Sequence, residues 1–300
     1  MYYKLINDKE RYYFNIDLYF NNLNNLNFLD IIINKKNVQE LNLKKLNLTD
    51  LPDLSEFINL RDLNCECNQL TELSNLSECI NLEHIYCNNN LLTELPDLSK
   101  FKKLKSLFCN NNELTELSNL DNLNNLQVLN CYDNELIKLP NLDNLNKLNT
   151  LLCSNNQLTI LPNLNKLNNL CNLNISNNLL NQIPDLSKLG NLQILYLSNN
   201  SINKLPNLSK LNKLKYLDLS YNKLTQLPNL NYLNSLLELY CNNNLFNKLP
   251  IIIKKYKKLQ YYKKYNTYKS LDKLTYLLNN IITIYYYFSI MKYYDKKYLR

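Results

Sequence analysis

The stretches LRDLNCECN at Leu60, LEHIYCNNN at Leu82, LKSLFCNNN at Leu104, LQVLNCYDN at Leu126 and LNTLLCSNN at Leu148 follow one another at an unbroken spacing of 22 residues. The spacing continues through LCNLNISNN at Leu170, LQILYLSNN at Leu192, LKYLDLSYN at Leu214 and LLELYCNNN at Leu236, with a weaker opening copy, VQELNLKKL, at Val38. That makes ten copies over residues 38–250 without an insertion or deletion. A period of this length is the mark of a stacked-repeat architecture. The chain therefore reads as a solenoid flanked by two ends that do not repeat.

Counting the leading residue of each copy as place one, places one, four, six, eleven, fourteen, seventeen and twenty are apolar. In the fourth copy they are Leu104, Leu107, Cys109, Leu114, Leu117, Leu120 and Leu123. The alternation around place four has the period of a short strand, with one face inward and one outward. All eight prolines, from Pro52 to Pro250, stand at place fifteen, directly after a core position. There a proline removes no ladder hydrogen bond and stiffens the returning segment. Segments such as PNLSKLNKL are too short for a full helix and predict extended chain with a turn of 3-10 helix.

Place nine holds asparagine in nine consecutive copies: Asn68, Asn90, Asn112, Asn134, Asn156, Asn178, Asn200, Asn222 and Asn244; only Leu46 breaks the column. Asparagine abundance alone says little, because a chain with one Gly (Gly190), no Ala, no Trp, three Arg and 24 Tyr has the residues of AT-rich codons. Position is the informative part. An inward amide carries two donors and an acceptor, so it satisfies the peptide groups of a buried turn, and stacked copies predict a structural asparagine ladder. The neighbouring Asn110 and Asn111 are expected on exposed flanks, as compositional filler. As metal ligands, amides without adjoining carboxylates are poor.

The pattern L-x-x-L-x-[LC]-x-x-N-x-L-T-x-L-P-x-L-S-x-L resembles the leucine-rich repeat, in its 22-residue internalin-like subclass. The resemblance implies a curved solenoid with a parallel sheet on the concave side and an extended or 3-10 convex side, and it implies a protein-binding scaffold. The AT-rich composition, with Cys often at place six, is also similar to repeat proteins of giant amoeba-infecting viruses.

Chemistry-bearing residues are scarce. Cys65, Cys87, Cys109, Cys131, Cys153 and Cys241 occupy place six, where other copies carry Ile175, Leu197 and Leu219, so these thiols read as small core hydrophobes. Neighbouring thiols in parallel on one sheet face are poorly arranged for a disulfide. Cys65 and Cys67 form a C-x-C that alternation turns to opposite faces, and no C-x-x-C exists, so no structural metal is expected. The single histidine, His84, is expected at an outward concave place among Asp62, Glu66 and Glu83, as a surface histidine. One histidine and one glycine leave little for a nucleophilic dyad or a phosphate loop. The expectation is a non-enzyme without cofactor. A ubiquitin-ligase domain with a nucleophilic cysteine, found in some bacterial leucine-rich repeat effectors, is not expected after Cys241.

Residues 1–37 are expected to cap the solenoid. Tyr12, Phe14, Ile16, Leu18 and Phe20 alternate, which predicts a strand or hairpin. MYYKLINDKE lacks an apolar core for a secretory signal, so an intracellular, cytoplasmic setting with reduced thiols is expected. Residues 251–300 hold twelve tyrosines and twelve basic residues against Asp272 and Asp295, a net charge of +10, while residues 1–250 sum to −2. Leu271, Leu274, Leu278, Ile281, Tyr285 and Phe288 have helical spacing, which predicts a helical cap. The rival reading is a basic aromatic surface for nucleic acid or an anionic membrane.

The primary functional expectation is a protein partner on the concave face. Places two, three, five, seven and eight are expected to face outward there, presenting Tyr86, Phe108, Tyr132, Tyr196, Tyr216 and Tyr240 as exposed anchors. Glu40, Asp62, Glu66 and Glu83 make the first strands acidic.

Overall fold

Each copy contributes one short strand, and the strands stack. The computed structural model describes residues 6–8, 11–15, 35–117 and 120–246, the first two spans by backbone alone. Ten strands come from the ten copies: β3 (Val38–Asn42), β4 (Asp62–Asn64), β5 (His84–Tyr86), β6 (Ser106–Phe108), β7 (Val128–Asn130), β8 (Thr150–Leu152), β9 (Asn172–Asn174), β10 (Ile194–Tyr196), β11 (Tyr216–Asp218) and β12 (Glu238–Tyr240). All pair in parallel with their sequence neighbours, and places three, four and five meet the same places of the next copy. Constant repeat length explains this register. A one-residue slip of any strand would turn its inward leucine to the other face.

Before the repeats lies a hairpin, β1 (Ile6–Asp8) and β2 (Arg11–Asn15), and β2 joins β3 in parallel to complete a twelve-stranded sheet. The alternation at Tyr12 and Phe14 belongs to this hairpin; Ile16, Leu18 and Phe20 lie outside the described residues. So do Pro250 and the whole expected C-terminal helix, Leu271 to Phe288.

One core runs the length of the stack, from Val38 to Cys241, built from the seven apolar columns. The convex side closes it with turns. The N–H of place twenty donates to the carbonyl of place seventeen, and the next place one donates to place twenty, as in Phe57 to Leu54 and Leu60 to Phe57 at 2.9 Å each. Within the convex returns of the described copies, one of these turns is a 3-10 helix, Leu98–Lys100, capped by the Asp97 carboxylate accepting from the Ser99 N–H. The expected extended-plus-turn returns are present; regular helix is not needed because two closing bonds per copy satisfy the chain's change of direction.

Place nine bridges copies. In each case the amide oxygen accepts from the N–H of place eleven in the preceding copy, as Asn134 does from Leu114 at 3.0 Å. Its Nδ2 donates to the place-six carbonyl of its own copy and of the copy before, Cys131 and Cys109, at 3.1 Å each. The same set recurs at Asn68, Asn90, Asn112, Asn156, Asn178, Asn200, Asn222 and Asn244.

Of the other asparagines of each run, Asn88 and Asn110 at place seven are buried and not on an exposed flank, while Asn89 and Asn199 at place eight are exposed. Place seven is enclosed: Asn110 is 0% exposed, and Glu66, Asn88, Ser154, Ser176, Ser198 and Ser220 are buried. Place eight adopts a left-handed backbone in every copy, with φ between 52° and 59° at Lys45, Cys67, Asn89, Asn111, Asp133, Asn155, Asn177, Asn199, Tyr221 and Asn243. Asparagine tolerates that conformation better than other side chains with a Cβ. In a chain with one glycine it is the natural substitute. Replacing Asn155 by valine is expected to cost about 1 to 2 kcal/mol in equilibrium urea unfolding, and Asn155→Gly to be near neutral. Equal loss in both variants would mean the backbone twist is not what selects the residue.

Candidate functional site

The concave side of the sheet is set by places three, five and seven, and parallel register aligns them into rows. Tyr86 and Phe108 meet as register partners on β5 and β6 and stack with ring centroids 5.1 Å apart and planes 17° from parallel. His84 stacks on Tyr86 at 6.4 Å. Tyr132 stands at place seven beyond β7. Tyr196, Tyr216 and Tyr240 occupy β10, β11 and β12, with Tyr196 opposite Asp218, which in turn faces Tyr240, while Tyr216 faces Ile194 and Glu238. The Tyr240 hydroxyl donates to Glu238 Oε2 at 2.9 Å.

These rings are less open than the sequence suggests. Phe108 is 2% exposed, and Tyr86, Tyr132, Tyr196, Tyr216 and Tyr240 are half-buried. On β6, β7 and β8 all three residues are buried, so Ser106, Val128, Thr150 and Leu152 are enclosed too. Register is one physical reason: each side chain on this face is walled on either side by its counterpart one strand away, and Phe108 has Tyr86 before it and Asn130 after. By contrast β10, β11 and β12 bury only their central leucine.

His84 also departs from expectation. It is buried, not a surface residue, and burial holds its pKa down at about 4, with Lys105 adding to the effect. Its Nε2 lies 3.9 Å from Asp62 Oδ1. The acidic end is partly neutralised: Glu66 pairs with Lys44, Glu83 with Lys105, and Arg61 Nη1 stands 3.9 Å from Glu83.

The thiols of place six point into the core. Burial pushes Cys65 and Cys109 up to about 12 and raises Cys87, Cys131 and Cys153 as well, so thiolate chemistry is suppressed at neutral pH. The Sγ–H of Cys65, Cys87 and Cys109 approaches the place-five carbonyl of the next copy at 3.4, 3.3 and 3.5 Å. Cysteine here adds an inter-copy contact that leucine cannot make, a benefit that periodicity in the sequence does not reveal. Among the described residues no group of His, Cys, Asp and Glu is placed to hold a metal, and no helix is long and apolar enough to cross a membrane.

Residues 80–122 and 190–232 match the family model described as Leucine Rich repeats (2 copies). Comparison with curated proteins finds no match. Among solved structures, the functional domain of InlJ from Listeria monocytogenes, which includes a cysteine ladder, is similar at 29% identity and a TM-score of 0.69 over 75% of this chain and 49% of that one. A leucine-rich repeat protein of Leptospira interrogans is 30% identical with a TM-score of 0.62, over 77% of this chain and 67% of its own. The leucine-rich repeat ectodomain of the plant membrane receptor kinase GASSHO1/SCHENGEN3 from Arabidopsis thaliana, in complex with CASPARIAN STRIP INTEGRITY FACTOR 2, is 30% identical with a TM-score of 0.61, over 75% and 27%. The chain thus spans about half the length of the InlJ domain it matches. The chain belongs to the leucine-rich repeat family, with internalin-like proteins among its structural relatives.

Proposed function

We propose that this chain is a non-catalytic scaffold that binds a protein partner on the concave face, at the end formed by β10 to β12. One observation carries the reading. Tyr196, Tyr216 and Tyr240 are half-exposed on adjacent strands of a rigid sheet, whereas the aromatic pair Tyr86 and Phe108 is largely spent on mutual stacking. Half-exposed tyrosines on a preordered surface lose little entropy on binding and bury a large area, as interface anchors do. That the similar plant receptor ectodomain is in complex with CASPARIAN STRIP INTEGRITY FACTOR 2 supports a binding role for the solenoid. Nine free thiols suit a reducing, intracellular compartment.

The double substitution Tyr196→Ser and Tyr216→Ser is expected to leave the thermal midpoint within about 2 °C of wild type, since surface changes away from the core are small. It is also expected to weaken binding of a partner captured from the native cell by at least tenfold, about 1.4 kcal/mol. Calorimetry with that partner decides. Unchanged affinity would move the site off this end of the sheet.

A second reading, in which residues 251–300 bind nucleic acid or an anionic membrane, rests on their net charge of +10. Steep salt dependence that survives the double substitution would favour it. Residues 1–37 and 251–300 are assigned as caps on the general need to cover the end repeats of a solenoid.

A further inference from the structure

On the convex side the Leu-Pro segments of the eighth and ninth copies run next to each other and leave a groove of about 640 Å³. Leu205 and Pro206 form one wall, Leu227 and Pro228 the other, and Tyr232 stands over it with 57% of its surface exposed. Lys204 and Lys210 rim the groove, and no acidic side chain lines it.

Two columns show how this place differs from its equivalents. Place nineteen reads Glu56, Glu78, Lys100, Asn122, Asn144, Lys166, Lys188 and Lys210, and then Tyr232, the one aromatic in an otherwise polar series. Place thirteen reads Asp50, Glu72, Glu94 and Glu116, and then turns to Lys138, Ile160, Gln182, Lys204 and Gln226. The solenoid is electrically polar as a result. Residues 38–147 carry 17 acids and nine bases, a net of −8, while residues 148–246 carry three acids and seven bases, a net of +4. The groove lies in the positive half.

We propose that this convex groove binds an extended acidic peptide segment carrying an apolar anchor residue. The inference is independent of the concave site. An apolar side chain of the peptide packs between Pro206 and Pro228 under the Tyr232 ring, and carboxylates on either side of it meet Lys204 and Lys210. Proline walls present apolar surface with a fixed backbone, so little order has to be imposed when the segment docks. Charge selects the sign of the partner. The narrow run between the two Leu-Pro segments fits an extended backbone, and the Tyr232 ring offers it an aromatic contact, as aromatic-lined grooves do for extended segments.

The test is fluorescence anisotropy of the full chain with a fluorescein-labelled peptide of Glu-Pro-Leu repeats, with a Lys-Pro-Leu peptide as counterpart. Expected are saturable binding of the acidic peptide, none of the basic one, and a loss of at least about tenfold on Tyr232→Ser. The double reversal Lys204→Glu and Lys210→Glu should abolish binding, and the concave pair Tyr196→Ser and Tyr216→Ser should leave it unchanged. If Tyr232→Ser lowers the thermal midpoint, Lys204→Glu alone decides. Equal binding of both peptides, insensitivity to Tyr232 and Lys204, or loss in the concave variant would each overturn the proposal. Self-association of the unlabelled chain that displaces the peptide would overturn it too, in favour of the acidic half of a second copy as occupant.

Discussion

Replacing Leu107 by alanine is expected to lower the free energy of unfolding by about 2 to 5 kcal/mol. Leu107 is fully buried at the centre of β6, with Ile85 and Leu129 as its register partners on β5 and β7. Truncation removes apolar area and opens a cavity between two strands that are themselves pinned by their neighbours, so the site has little freedom to collapse. In a solenoid, stability is the sum of copies and of the interfaces between them. The loss falls on both interfaces of the fourth copy at once. Urea unfolding followed by far-UV circular dichroism measures it. A midpoint unchanged, or a cost below about 1 kcal/mol, would mean that the central column does not carry the stack. A transition that splits in two would show the stack breaking at the fourth copy.

The second large effect is expected from Asn134→Leu. Leucine is nearly isosteric and apolar, so the packing volume changes little, but the buried Leu114 N–H loses its partner, and the carbonyls of Cys131 and Cys109 each lose one of two amide donors, keeping Asn156 and Asn112. A buried group left unpaired costs about 1 to 3 kcal/mol, which is the loss expected here. Serine at the same place is expected to recover part of it, because a hydroxyl accepts from one N–H but cannot reach both carbonyls. The same chemical denaturation assay compares the three proteins. A neutral Asn134→Leu variant would show that water reaches the turn and that the ladder is dispensable.

What was legible in the sequence is everything that repeats. A fixed 22-residue spacing assigns each leucine column, the prolines and Asn68 to Asn244 to recurring places, and a place seen ten times averages out the AT-rich background that hides the meaning of any single asparagine. The periodic pattern therefore led directly to parallel strands in constant register. Place seven and place eight depart from what the same pattern implies, since burial of Asn110 and the left-handed backbone at Asn111 depend on the turn geometry between strand and ladder, which the periodicity does not encode.

Features that occur once were decided by the tertiary structure. Phe108 and His84 sit at places that alternation assigns to an outward face, yet both are buried: Phe108 stacks on Tyr86 of the preceding copy, and His84 has Tyr86 beside it on its own strand with Asp62 and Ser106 as its register partners on either side. The groove under Tyr232 is another such case: its walls come from copies 22 residues apart, and Tyr232 matters only because Pro206 and Pro228 lie beside it. Sequence period determines which residues share a column. How far neighbouring columns shield one another is a property of the packed surface, since exposure depends on side chains one and two copies away and not on the residue's own place.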